Sequence, residues 1–325
     1  MTGPRVDVVI PTRNRYRQTL EAIESVQGQT FPSWRVIVVD DGSSDGSGPA
    51  LRAALAGDGR IVTVERREAG GAQVARQEAL RVSDAPLVAL LDSDDLWHAQ
   101  KLSRQVDRHV ERFGPDASGA VLCWHRWAGT GPARSASRRP QVDGLATPLV
   151  SNNMSTVLVA REALDRAGGF LPEGQRSLRT CDNIEFYVRL TASCDFTVVE
   201  EELVVCRSHS GPRASDGLGT TEAAEELASV LQLHAERLAA FPADRARLMA
   251  AVAARHLGAG QVLTGWSTLA RAIAAAPSST KRELALRYGP LVLRSLIRRP
   301  GRGPDEARGA KRPPSDRDSP PATAT

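Results

Sequence analysis

Apolar positions in the first 110 or so residues follow two alternating rhythms. Short apolar runs at residues 6–10, 34–39, 61–64 and 86–91 each read as a strand, with 6–10, 34–39 and 86–91 read as buried. Between them the spacing turns helical. Leu20, Ile23 and Val26 mark one face. A second helix is expected from about 45 to 55, and a third opens at 70–76. Leu102, Val106, Val110 and Phe113 mark a fourth. Strands alternating with helices in this way predict a mostly parallel sheet flanked by helices. Pro11 is expected to stop the first strand, because it offers no N–H.

The pattern continues less regularly. Residues 120–124, 156–159, 196–199 and 203–206 read as strands, and 182–192 as a helix preceded by the turn Gly168-Gly169-Phe170. Residues 129–144 are rich in Gly, Pro, Ser and Arg and read as a mobile loop. From about 221 the character changes. Leu227, Val230, Leu231, His234, Leu238 and Phe241 form an amphipathic stripe, and further helical patterns run to about 297. Residues 300–325 hold too few apolar side chains to fold and are expected to be disordered. The expected organisation is an α/β domain over 1–215 (halves 5–117 and 118–215), a helical extension over 221–299, and a basic, Pro-rich tail.

Composition changes this picture little: 41% hydrophobic and 25% charged residues are ordinary for a globular chain. Charge is more telling. The formal net charge is +4, yet residues 281–325 alone carry eleven Lys and Arg against five acids, so the body before them is slightly acidic. A folded domain that grips nucleic acid is expected to be basic, so no nucleic-acid partner is expected. The four cysteines (Cys123, Cys181, Cys194, Cys206) show no metal-ligand spacing. No signal segment and no apolar run near 18 residues is evident, so a reducing, cytoplasmic setting is expected.

The chemistry concentrates at strand ends. The run ending at Leu91 leads directly into Asp92-Ser93-Asp94-Asp95, and the run ending at Val39 into Asp40-Asp41. Carboxylates avoid a core unless paired or cation-bound, and open α/β sheets bind ligands at the carboxyl ends of their strands. Asp92 and Asp94, two apart on an extended backbone, point to one side. Alone, such a triplet reads more readily as a solvated turn.

Three segments together remove that ambiguity. Val8-Val9-Ile10-Pro11-Thr12-Arg13-Asn14-Arg15, Val38-Val39-Asp40-Asp41-Gly42-Ser43-Ser44-Asp45 and Leu90-Leu91-Asp92-Ser93-Asp94-Asp95-Leu96-Trp97 occur in this order. They resemble the nucleotide-binding half of family 2 glycosyltransferases with the GT-A fold. Residues 71–76 resemble the family's Gly-x-Ala-x-Ala-Arg-Asn element, with Gln77 where Asn is usual. The likeness covers about residues 5–210. It implies transfer of a sugar from a nucleotide-diphosphate donor, UDP-linked by preference, to an acceptor hydroxyl on a glycan, a lipid-linked molecule or a small molecule, with inversion. It also implies Mg²⁺ or Mn²⁺ at Asp94 and Asp92, with Asp95 close behind. Pro11, Thr12 and Arg13 would line the nucleotide cleft, Asp40 would accept a base N–H, and Arg76, Asp92 and Ser93 would contact the donor. Trp97 and Lys101 are expected to be structural.

One departure matters for mechanism. The family usually shows Glu-Asp-x-(Asp/Glu)-(apolar)-(aromatic)-(apolar)-Arg-Leu, with the Asp as base. Here residues 182–190 put Asn183 at that position, and an amide cannot take a proton from a hydroxyl. Three readings stay open: Asp182 serves as base, Glu185 serves instead, or the chain is a nucleotide-sugar-binding homologue with weak or no transfer. His209 as a late metal ligand and Arg207 as a phosphate contact are weaker candidates, a lone loop histidine being more often just exposed, and 151–155 reads equally as a sugar or acceptor contact or as a polar turn. A basic amphipathic stretch at 287–299 is the candidate for peripheral membrane contact.

Overall fold

In the computed structural model of the chain, the described residues are 5–128, 153–171, 178, 181–207 and 220–297. An eight-stranded sheet forms the centre, in the order β3-β2-β1-β4-β7-β6-β8-β5. β1 (Val6–Thr12), β2 (Trp34–Asp40), β3 (Ile61–Glu65) and β4 (Leu87–Leu90) are mutually parallel. Every residue of β1 and β4 is buried, which is why their sequences are unbroken apolar runs rather than alternating ones. The connecting helices are α1 (Tyr16–Gln27), α2 (Ser47–Leu55) and α3 (Ala72–Val82).

β1 continues through Pro11, against the expectation that proline ends it. Val9 already uses its carbonyl to accept from Leu91, and the register with β4 stops at Val9↔Leu90. Pro11 faces the same side two residues later, beyond that ladder, so its missing N–H forfeits no bond.

The second half of the sheet is mixed. β6 (Gly119–Ala128) runs parallel to β8 (Asp195–Arg207), while β7 (Leu158–Ala160) is antiparallel to both β4 and β6. The two short strands expected at 196–199 and 203–206 are one 13-residue strand, β8. Its exposed Glu200-Glu201-Glu202 segment passes the register shifts opposite Cys123, Trp124 and His125 and masks the continuity in sequence. A three-residue strand, β5 (Asp95–Trp97), lies where only a turn was expected; it pairs antiparallel with Val204–Cys206 of β8. Strand pairing across more than a hundred residues leaves no local periodicity to read.

α4 (Lys101–Phe113) buries Leu102 and Val106 under the sheet. α5 (Arg161–Arg166) and α6 (Asp182–Thr191) belong to the second half. The C-terminal helices are α7 (Thr221–Leu233), α8 (Ala235–Ala239), α9 (Pro242–Gly258), α10 (Val262–Ala275) and α11 (Ser278–Ile297). Leu227, Val230, Leu238, Leu248 and Val252 join the main core, and only α9–α11 share a smaller cluster of their own around Leu269 and Leu284. The extension is thus fused to the α/β body by burial. Phe241, expected on the buried stripe, is 36% exposed. No described helix is long and apolar enough to cross a membrane. The loop at 129–144, His209, Arg298, Arg299 and the tail lie outside the described residues, as do the side chains of 291–297.

Candidate active site

Because β1, β2 and β4 are parallel, their carboxyl ends share one edge of the sheet, and the loops that follow meet there. The loops after β1 and β2 are laced together. Asn14 donates its N–H to Ser43 Oγ (2.8 Å), and Ser44 donates to Asn14 Oδ1 (2.9 Å). Asn14 adopts φ 53°, a left-handed conformation that asparagine tolerates better than most residues. Asp40 is buried and accepts from the Ser43 N–H (3.2 Å) and the Ser43 hydroxyl. A Cβ at Gly48 would stand 2.5 Å from Asp40 Oδ2, so only glycine leaves that oxygen its place. Asp41 accepts from Arg66 and from the N–H groups of Gly70 (2.9 Å) and Gly71 (2.7 Å), which fixes the entry to α3. Thr12 turns its hydroxyl to Thr19 (2.6 Å) and braces α1, Pro11 is buried beside it, and Arg13 is exposed at the rim.

The segment after β4 carries the carboxylates. Asp92 Oδ1 accepts from Arg76 Nη2 at 2.6 Å, and Arg76 is only 2% exposed. Arg76 also donates to Gln73 (3.2 Å), whose amide donates to the carbonyl of Asp182 (3.0 Å). Asp94 Oδ2 accepts from Arg15 Nη1 (3.0 Å), while its carbonyl accepts from Arg207 Nε (2.7 Å). Arg207 reaches on to Glu21 and the Gln18 carbonyl, so it ties the end of β8 to α1. Ser93 is buried.

Asp95 has a different placement from the one expected of a metal ligand. It is buried, and Oδ2 accepts from Ser155 Oγ (2.7 Å) and Asn153 Nδ2 (2.5 Å). Burial, followed by the nearby charges of Asp92 and Asp94, pushes its carboxyl up to about 8. Ser155 also accepts from the Asp92 N–H (2.9 Å), and its carbonyl accepts from Trp97 Nε1 (3.0 Å). Asn153 and Ser155, which sequence suggested as sugar or acceptor contacts, are thus the struts of the acidic loop. Trp97 packs against the fully buried Lys101, whose ammonium lies 3.9 Å from the ring centroid and donates to Gln105. Burial pulls that ammonium down to about 8.

The residues present fit a hard divalent cation of one kind. Asp92 and Asp94 keep side chains 28% and 20% exposed, each set against an arginine. Among the described residues no three His, Cys, Asp or Glu side chains form a cage. Mg²⁺ characteristically uses one or two carboxylates and completes its shell with substrate phosphates and water. Burial is the first cause that raises Asp95; the repulsion from Asp92 and Asp94 that adds to it is the excess negative charge such an ion would relieve.

α6 brings the second half to this edge. Asp182, its first residue, accepts from the Asn183 N–H (2.8 Å). Burial pushes its carboxyl up to about 6; Arg76 and the Asn183 N–H pull it down, and Asp92 and Glu226 push it further up. Glu185 is not brought to the cluster. It is buried in a bidentate pair with Arg189 (2.8 and 2.9 Å), and His234 Nε2 lies 3.0 Å from its Oε1. Burial alone would raise Glu185, but these bonds outweigh it and hold the carboxyl below its ordinary value. Arg189 donates further to the carbonyls of Ala167, Gly169 and Phe170, which locks the glycine turn. Gln77, at the position where the family element has Asn, accepts from the Phe170 N–H (2.8 Å). Arg15, Gln73 and His234 carry no local sequence signal for these roles, since each acts across a long chain separation.

Residues 7–130 match the profile described as glycosyl transferase family 2. Over 109 residues the chain is 39% identical to the putative teichuronic acid biosynthesis glycosyltransferase TuaG of Bacillus subtilis, covering 34% of this chain and 43% of that protein. Over 101 residues it is 36% identical to the UDP-Glc:alpha-D-GlcNAc-diphosphoundecaprenol beta-1,3-glucosyltransferase WfgD of Escherichia coli, covering 31% and 39%. The match thus spans less than half the length of these relatives. In three dimensions the chain is similar to S. aureus TarS 1-349 in complex with UDP-GlcNAc, with a TM-score of 0.63 at 17% identity over 90% of this chain and 87% of that one. It is also similar to the mannosyltransferase PcManGT of Pyrobaculum calidifontis in complex with GDP-Man and Mn²⁺, with a TM-score of 0.56 at 22% identity over 91% and 84%. These likenesses identify the fold as GT-A.

Proposed function

We propose, from the match of residues 7–130 to glycosyl transferase family 2, that the chain is a family 2 glycosyltransferase that transfers a hexosyl group from a UDP-sugar to an acceptor hydroxyl, with inversion. The observation that carries the reading is the convergence of Asp182 with the Arg76–Asp92 pair across the edge of the sheet. A carboxyl displaced to about 6 is half-poised near neutral pH, where a general base works best.

In this reading Asp182 takes the proton from the acceptor hydroxyl. The freed oxygen attacks C1 of the sugar as the bond from C1 to the diphosphate oxygen breaks, and the nucleoside diphosphate leaves with the electron pair. Asp94 and Asp92 would hold Mg²⁺ or Mn²⁺, which supplies positive charge for the leaving diphosphate. Asp40 holds its carboxylate at the turn for a base N–H, and Arg76 orients Asp92. Asn183 donates to Asp182 instead of acting as base, so the carboxylate missing from one position is present at the neighbouring one. Glu185 serves structure.

The acceptor is proposed to be a lipid-linked or envelope glycan, because WfgD is named for a diphosphoundecaprenol substrate and TuaG for teichuronic acid. Contact with the inner face of a membrane through 287–299 belongs to the same proposal. A panel of nucleotide sugars, assayed for binding and for nucleotide release with and without Mn²⁺, tests it. Metal-dependent binding of one UDP-sugar, with turnover in wild type and none in Asp182→Asn, is expected. Binding without turnover on any lipid-linked or glycan acceptor would instead favour the donor-binding homologue.

A further inference from the structure

The C-terminal helices touch α6 at both ends of the turn that carries Asp182. Arg255 of α9 donates to Cys181 Sγ (2.7 Å) and to the Ala223 carbonyl of α7 (2.7 Å). Cys181 is the residue immediately before Asp182. One turn later His234, between α7 and α8, meets Glu185. The other ring nitrogen of His234, Nδ1, lies 3.5 Å from Arg237 Nη1. An arginine can only donate, so Nε2 is the nitrogen that donates to Glu185. His234 is 5% exposed and Glu185 likewise. A hydrogen bond to a buried carboxylate is among the stronger ones, and losing it strands the acceptor.

We propose that His234 is a positioning residue for sugar transfer: by donating to Glu185 it fixes α6, and with it Asp182, against the donor edge, so the C-terminal helices are a working part of the site. This rests on the reading of Asp182 as base. The geometry supports it through a continuous chain. His234 and Arg189 share Glu185 Oε1, and Arg189 holds the turn at Ala167–Phe170. Gln77 of α3 joins that turn from the other side by accepting from the Phe170 N–H, and Gln73 of α3 donates its side-chain amide to the Asp182 carbonyl at 3.0 Å. α6 is therefore clamped between α3, which carries Arg76, and the C-terminal helices. Releasing one side lets Asp182 drift relative to the Arg76–Asp92 pair. Misplacement of a reacting group by about an ångström costs on the order of a hundredfold in rate.

The test compares four variants of the full chain in the wild-type transfer assay. His234→Ala is expected to lower kcat by roughly ten- to a hundredfold with donor KM and UDP binding unchanged. His234→Gln, whose amide can still donate to Glu185, is expected to recover most of kcat. His234→Asn, with a shorter reach, is expected to resemble Ala and stands in for it if Ala does not fold. Arg247→Gln is the control. It breaks the Arg247–Glu283 pair between α9 and α11 and lowers stability without touching α6. Unchanged kcat in folded His234→Ala or His234→Asn, an equal loss of kcat in Arg247→Gln, or failure of His234→Gln to recover would each overturn the proposal. Hydrogen exchange of the α6 amides separates this from failure of the base reading. Faster exchange at α6 in the His234 variants, together with full turnover in Asp182→Asn, would leave the clamp standing and remove Asp182; unaltered exchange would remove the clamp itself.

Discussion

Asp182→Asn should make the protein more stable while removing its activity. In the folded chain the Asp182 carboxyl titrates at about 6, against an ordinary 3.8. The folded state therefore holds this proton more tightly than the unfolded chain, and the ionised form is the one it tolerates poorly. Stability then falls as pH rises through the window from 3.8 to about 6, and the full penalty applies above it. At about pH 8 the charged carboxylate costs roughly 3 kcal/mol, at about pH 5 roughly half of that, and well below 3.8 nothing. Asparagine carries no charge at any of these values, and its Oδ1 can still accept from the Asn183 N–H at 2.8 Å. The gain on substitution should thus be largest at alkaline pH. In a chain of this size it should raise Tm by several degrees, at roughly 2–4 °C per kcal/mol. Thermal melts of both proteins without added metal at about pH 8 and about pH 5, beside nucleotide-release assays, measure it. A variant less stable than wild type at pH 8, or a gain that does not shrink at pH 5, refutes the account of Asp182 as a carboxylate held at a cost for function.

Three further outcomes follow from the same edge of the sheet. The rate of transfer by wild type should rise with pH through about 6, as Asp182 gives up its proton; a flat profile from pH 5 to 8 removes it as base. Asp94→Ala should abolish metal-dependent nucleotide binding, measured by calorimetry with Mn²⁺, whereas Asp95→Asn should retain it, because Asp95 already commits its oxygen to Ser155 and Asn153. Gly48→Ala should weaken UDP binding by displacing Asp40, which a Cβ would approach to 2.5 Å, while the melting temperature falls by only a few degrees.

The carboxylate-bearing edge was legible because it rests on local signals. Buried parallel strands have to be apolar runs, and a run that breaks into Asp40-Asp41 or Asp92-Ser93-Asp94 announces the edge where ligands bind. The same logic did not separate Asp95 from its neighbours, since adjacency in sequence says nothing about which carboxylate turns inward; that is decided by Asn153 and Ser155 some sixty residues away. β5 and the unbroken β8 escaped notice for a related reason, their pairing being remote and bulged. Glu185 and Asp182 sit on one helix, and spacing alone left both as bases. The ion pair with Arg189 and the bond from His234 separate them, and neither partner's role is written in helix periodicity.

The pairing of β5 with β8 bears on how sequences of this kind are recombined. The family match ends at residue 130, which invites a chimera that exchanges donor specificity by transplanting the first 130 residues alone. Yet the acidic loop leads directly into β5, whose partner is Val204–Cys206, and the Asp94 carbonyl is held by Arg207. A graft cut at 130 would give the incoming carboxylates a foreign strand to lean on. The unit of exchange that keeps its own geometry extends through Arg207, so a crossover there should preserve the imported donor preference where a crossover at 130 would blur it.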